Sequence, residues 1–331
     1  MPQAALMRIE EVAALIRQGR SLALAGDEAA LEGLPQGRWI GGTIPYFMTA
    51  AGGLSSRERI FVHDVSDWGA QPSIRYYALD ELHRVARDAP DHGVSLIIIP
   101  AGSEVHSAYA RNAPNYDDMY LKPLLGWVAG VHLSELGQRA PRVYDGLLGT
   151  SVSDCAVVMH IPLPATRHAL IDIVNPFQPG AGEIITFAAT GFEAADCLID
   201  GRPANLADYY RDRALDTRLP LVADYCGAPI NVSIRQVHYR ERRVEFYAPV
   251  FPGVEYRLAR PLPDYLVDFA AAMPPAAARA VFSCNCILNY LYGELEGRQT
   301  QGMVGPFTFG EIAYQLLNQT LVYLTFDDAT S

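Results

Sequence analysis

One order of signals occurs three times along this chain, and it leaves few folds open: a short apolar strand, a helical stretch, a glycine turn, then one or two further strands. In the first copy SLALAG precedes a short helix, Trp39-Ile40-Gly41-Gly42 reads as the turn, and IPYFMTAAGG and RIFVHDV read as strands. In the second, LIIIPAG leads into a tyrosine-rich helical or irregular stretch, WVAGVHL supplies the turn, and VYDG and CAVVMHIPL follow as strands. The third is AVFSCNCILNYLYGELEG with GMVGPFTFGEIAYQ and NQTLVYLTF. Repeated strand-helix-strand-strand units need sheets whose outer faces are covered by helices. The expected fold is therefore α/β (α+β), a layered sandwich of mixed β-sheets covered by helices.

Between the second and third copies lies a mostly β segment, in which DIVNPF, EIITFAATG, ADCLIDG, INVSIRQVHY and RVEFYAPVFPGVEYRLAR alternate apolar and polar residues. A helix over 205–213, with Asn205 as its cap, interrupts the segment, and a helix over 264–273 closes it. Pro261, Pro263, Pro274 and Pro275 bracket the second helix and mark residues 260–279 as the boundary. The chain accordingly divides into 1–259, holding two look-alike units and the β segment, and 260–331, holding the third.

Half of the 331 residues are hydrophobic, enough for a sizeable core, and 37 acidic against 26 basic residues leave a formal charge of -11. Such a surface repels phosphate backbones and anionic lipid, so no nucleic acid and no membrane is expected as partner. Before Ser21 the sequence reads as one short helix with Glu10 and Glu11 inside its apolar stretch, and no later run is long and apolar enough to span a bilayer. Five cysteines at 155, 197, 226, 284 and 286 lack paired zinc-type spacing, so no metal site is expected and a reducing cytoplasm is the simplest location.

The chemistry-bearing residues gather in the third copy. A buried apolar run delivers Ser283, Cys284, Asn285 and Cys286 to the start of a helix, where unpaired backbone N–H groups attract anions. Phe307 and Phe309, two apart on a strand, share a face and end at Gly310-Glu311. Cys284 and Asn285 are expected to meet the anionic end of a small guest, Glu311 its cationic end, and Phe307 with Phe309 its apolar body, while Gly41, Gly42 and Gly130 allow close approach. The same residues have plainer readings. The cysteines and phenylalanines suit a core, Glu311 also suits a cap on a local helix AYQLL, and the glycines suit turns.

Several of these residues resemble those of the FIST family of sensory domains, which have an N-terminal and a C-terminal part, and the likeness spans nearly the whole chain. Asp200, Gly201, Pro203, Ala204 and Tyr209 fit the family's "DG.PA…Y" pattern, Gly253 fits its later glycine turn, and VFSC with Cys284 and GPFTFGEIAYQ with Gly305, Phe307, Gly310 and Glu311 fit its C-terminal part. Family sequences often carry an arginine soon after that cysteine; here Asn285, Cys286, Ile287 and Leu288 follow. The resemblance implies a cytoplasmic small-ligand sensor for amino acids or related metabolites, passing its signal to a separate signalling protein because only DDATS follows Phe326. Some relatives are implied to hold haem, and His63, His106, His132, His160, His168 and His238 stand near strands or turns, yet no C-x-x-C-H motif occurs. The expected cofactor is therefore none, with a haem-based gas sensor as the alternative. An enzyme using Cys284 as nucleophile is the second alternative.

Overall fold

The computed structural model describes residues 4–225, 228–300 and 302–328. Cys226 lies outside them. In chain order, β1 (Ala4–Arg8) leads into α1 (Ile9–Arg17), followed by β2 (Leu22–Gly26), α2 (Glu28–Glu32), β3 (Trp39–Thr43), β4 (Tyr46–Thr49), β5 (Gly52–Ser55) and β6 (Arg59–Asp64). The second run is β7 (Ser73–Tyr77), β8 (Gly93–Pro100), α3 (Glu104–Asn112), β9 (Leu124–Ala129), β10 (Val143–Asp145), β11 (Thr150–Val152) and β12 (Ala156–Pro162). After β13 (Arg167–Val174) come β14 (Ile185–Thr186), β15 (Gly191–Ala194), β16 (Asp196–Ile199), β17 (Arg202–Asn205), α4 (Leu206–Asp212), β18 (Leu221–Tyr225), β19 (Ala228–Val232), β20 (Ile234–His238), β21 (Arg243–Val250), β22 (Tyr256–Leu258) and α5 (Tyr265–Ala272). The third run is β23 (Phe282–Cys286), α6 (Ile287–Tyr292), β24 (Gly305–Thr308), β25 (Glu311–Ala313), β26 (Gln315–Leu317) and β27 (Leu321–Asp328).

Two compact units result. One comprises Met1–Ile173, Met273–Leu316 and Leu321–Ser331, and the other Val174–Ala272 with Leu317–Thr320. The third look-alike segment thus folds with the first two, while the β segment between them stands as a unit of its own. The linear division at 259/260 separates stretches of chain, whereas compactness joins stretches that are distant in sequence.

In the first unit the three copies build three six-stranded sheets among the described residues: β1-β6-β2-β3-β10-β11, β7-β12-β8-β9-β25-β26 and β13-β27-β23-β24-β4-β5. Each sheet has the same plan. A parallel pair joined through a helix (β2 with β3, β8 with β9, β23 with β24) forms its middle, and the closing strand of the same copy pairs antiparallel on one side. The hairpin on the other side comes from a different copy: β10-β11 completes the first copy's sheet, β25-β26 the second's, and β4-β5 the third's. This cyclic exchange covers the open edge of each parallel pair, which would otherwise present unpaired N–H and C=O groups. The fold is a layered, mixed α/β arrangement.

Local chemistry accounts for the elements. In α1 the buried Val12, Ala13, Leu15 and Ile16 make one apolar stripe, Glu11 accepts the Arg8 N–H at 2.8 Å, and Gly19, at φ 79, follows the C-terminal end. The helical pattern does not extend back to the start, because Ala4–Arg8 zip against Arg59–His63 as an edge strand. Asp27 and Ser103 cap α2 and α3 by accepting the N–H groups of Ala29 and His106. Gly41 and Gly42 belong to β3 and not to a turn. A Cβ on Gly42 would stand 2.6 Å from Ile98 Cγ2 and 3.0 Å from Trp127 Nε1, so glycine is what lets β3 pass the second copy's strands. The stretch after Gly310 forms β25 and β26, so Glu311 caps no helix there; pairing of Ile312 with Gly126 overrides its helical pattern.

The second unit contains a six-stranded sheet, β17-β16-β14-β22-β18-β19, and a three-stranded one, β15-β21-β20, among the described residues. Leu206 and Tyr210 of α4 pack with Phe187, Phe246 and Tyr256 in its core, and Asn205 caps α4 by accepting the Asp208 N–H at 3.1 Å. A buried amide network clips Leu317–Thr320 into this unit. Asn175 and Asn231 exchange hydrogen bonds at 2.9 and 3.0 Å, Asn231 also donates to the Asn318 carbonyl at 3.1 Å, and the Ser233 hydroxyl donates to Gln319 Oε1 at 2.7 Å. Among the described residues no helix is long and apolar enough to cross a membrane.

Candidate functional site

The site residues expected from sequence converge on β9, as packing. Cys284 is buried and its Sγ donates to the Gly126 carbonyl at 3.3 Å. Glu311, fully buried, is in register with Trp127 on the neighbouring strand. Burial first, then the charges of Glu311 and Cys286, push the Cys284 thiol well up from its ordinary range. A thiol in that environment stays protonated, the reverse of what nucleophilic catalysis requires. Gly310 accepts the Val128 N–H at 2.8 Å, and Phe309 donates its own N–H to the Val128 carbonyl at 3.0 Å. The half-buried Phe309 ring lies over Gly130, where a Cβ would come within 2.3 Å of it.

Asn285 and Phe307 sit one step away, in register with each other across β23 and β24. Asn285 Oδ1 accepts the Cys286 N–H at 2.7 Å and an Asn289 amide proton at 2.8 Å, so the first backbone donor at the head of α6 is already engaged. Phe307 is fully buried, its ring 4.9 Å from that of Tyr290. Gly41 stands apart from the group, against the Trp39 ring. α6 has six residues, too few for a developed dipole, so an anion gains little at its start.

The open space lies at the other end of β23. A cavity of about 440 Å³ is lined by Ala4 and by residues 273–275, 277–278, 280–283 and 302–304. Small residues keep it open: Ala277 and Ala278 within the 3-10 turn Pro275–Arg279, and Ala280 just after it, stand where larger side chains would fill the gap. Its walls are internally bonded. The Ser283 hydroxyl donates to the Val304 carbonyl at 2.8 Å, the Val281 N–H to Leu324 at 2.9 Å and the Met303 N–H to Thr300 at 3.0 Å. The Ser283 N–H reaches His63 Nε2 at 3.4 Å, and the His63 ring lies 4.4 Å from that of Phe282.

A second, much smaller cleft of about 10 Å³ lies among Asp27, Thr43, Gly130 and Arg139, room for about one water. Its mouth is bridged by Arg139 to Glu28 at 2.6 Å and by Arg57 to Glu135 at 2.8 Å.

The histidines are engaged with protein groups. Burial pushes His63 down to about 3 and His106 down to about 4, and the His106 Nδ1 accepts the Gly102 N–H at 3.3 Å. His132 stacks on Tyr46 at 5.4 Å and His238 meets Glu245 at 3.0 Å, while His168 lies edge-on to His92 at 5.2 Å. His160 is the centre of a buried chain: Ser95 Oγ on Nδ1 at 2.7 Å, the Tyr77 hydroxyl on Nε2 at 2.8 Å, and Asp88 3.4 Å beyond Tyr77. Sequence reasoning missed that chain because Tyr77, Ser95 and His160 come from β7, β8 and β12, and Asp88 from the stretch between β7 and β8. Among the described residues no three His, Cys, Asp or Glu side chains are grouped to hold a metal ion.

The missed cavity had one sequence signal, the Met-Pro-Pro-Ala-Ala-Ala-Arg-Ala run at 273–280. Small and rigid residues ahead of an apolar strand cannot fill the space beside it. No curated protein matches the chain. A family model described as a family of unknown function does match, over residues 7–327, and the chain therefore belongs to that family, DUF6976.

Proposed function

We propose that this chain is a small-ligand-binding protein of the sensory kind its resemblance to FIST domains implies, handing its signal to a separate protein, with the guest seated beside Phe282 and Ser283. The cavity carries this reading. Interiors pack with few voids larger than a water molecule, whereas ligand sites occupy roughly 300–1,000 Å³. The half-open cavity, about 440 Å³ and edged by alanines, is of ligand-site size. Of the residues first considered, Cys284 and Asn285 continue the strand that begins with Phe282 and Ser283.

A thermal-shift screen of the full chain against a metabolite library tests the proposal. At least one compound should raise the melting temperature with concentration, as mass action requires. The shift should vanish in Ala280→Trp, which fills the cavity. If no compound stabilises the protein, or if every shift survives Ala280→Trp, the proposal fails.

A further inference from the structure

We infer that the guest is an uncharged molecule with a hydrogen-bonding group near Ser283, and that a zwitterionic amino acid is excluded; this rests on the cavity being the binding site. None of the thirteen lining residues carries an ionisable side chain. Arg279, within the lining segment, is exposed and is not part of the wall. The one side-chain hydroxyl is that of Ser283; its proton is committed to the Val304 carbonyl, which leaves its lone pairs to accept from a guest. Behind the wall, buried His63 is kept neutral and already accepts the Ser283 N–H, so no cation stands there to meet a carboxylate. An ion entering would give up part of its hydration to a wall without a counter-charge. The adaptable thioethers of Met273 and Met303 suit a ring-shaped apolar body.

The test compares neutral and charged molecules on the same ring. Indole, 4-methylphenol and cyclohexanol are titrated into the full chain by calorimetry, against indole-3-acetate, tyramine and cyclohexanecarboxylate, in the natural protein, Ala280→Trp and Ala280→Lys. Neutral probes should bind the natural protein and lose binding in Ala280→Trp. Their charged counterparts should bind at least about 100-fold more weakly, about 3 kcal/mol at 1.4 kcal/mol per tenfold. Ala280→Lys should admit the carboxylates, a gain that keeps the test decisive even if Ala280→Trp does not fold. Charged probes that bind as well as neutral ones, in a manner lost in Ala280→Trp, would overturn the neutrality of the guest while leaving the cavity as the site. Carboxylates left unaffected by Ala280→Lys would also count against it. Absence of any cavity-dependent binding would overturn the proposed function and this inference together.

Discussion

Lowering the pH from 7 to 5 should remove about 6 kcal/mol of stability through three histidines that the fold keeps neutral. Burial pushes His63 down from 6.5 to about 3, and His106 and His160 to about 4. As the pH falls below 6.5 the unfolded chain takes up a proton at each, while the native state does not until its own lower value is reached. Stability is therefore complete above about pH 7 and is lost as the pH falls through 6.5 toward 4. At pH 5 each unfolded histidine has gained roughly 1.5 pH units of proton binding, about 2 kcal/mol at 1.36 kcal/mol per unit. The ion-paired carboxylates Glu135 and Asp208 are held below their ordinary values, first by hydrogen bonds from Arg57 and Arg242; their contributions are lost below the histidine window. Urea unfolding at pH 7, 6 and 5 measures the effect, with a slope of roughly 3.7 kcal/mol per pH unit near pH 5.5. His160→Gln should lower overall stability but reduce that slope by about a third. A midpoint unchanged between pH 7 and 5, or a slope equal in His160→Gln and the natural protein, would refute the reasoning.

Two further outcomes follow from packing. Iodoacetamide at pH 8 should leave Cys284 and Cys286 unmodified in the native protein, whereas half-buried Cys155, pushed up to about 11 by burial and then by Asp154, reacts slowly but before them; selective, pH-dependent labelling of Cys284, read by mass spectrometry, would restore the nucleophile. Gly130→Val drives a side chain into the Phe309 ring and should cost about 2 kcal/mol, seen as a melting point lowered by about 5 °C, while Gly182→Ala, with open space at its Cβ, should change it little. Equal melting points for the two variants would contradict the close approach of Phe309 to Gly130.

The threefold order of elements was legible because each copy carries its own apolar strand and turn, signals that depend on neighbours in sequence. The exchange of hairpins was not, since the pairing of β10 with β3 or β25 with β9 depends on contacts far apart in the chain. That is also why Gly41 and Gly42 read as a turn: the reason for a glycine at 42 is Ile98 and Trp127, which come from another copy. For the site, aromatic alternation at Phe307 and Phe309 is the same whether the ring meets a guest or Tyr290. Burial alone separates the two. The cavity arises from an absence of bulk at residues 277, 278 and 280, and hydrophobic patterning registers what side chains fill, not what they leave open.

The most direct measurement uses the methionine methyl groups. Met273 and Met303 line the cavity, while Met48, Met119 and Met159 are buried outside its lining. With methionine methyls carbon-13 labelled and a neutral ring compound titrated in, the Met273 and Met303 resonances should shift together and saturably, with the other three unmoved. Saturable shifts confined to Met48, Met119 or Met159, or no shift at Met273 and Met303 while calorimetry registers binding, would place the guest elsewhere and contradict the account.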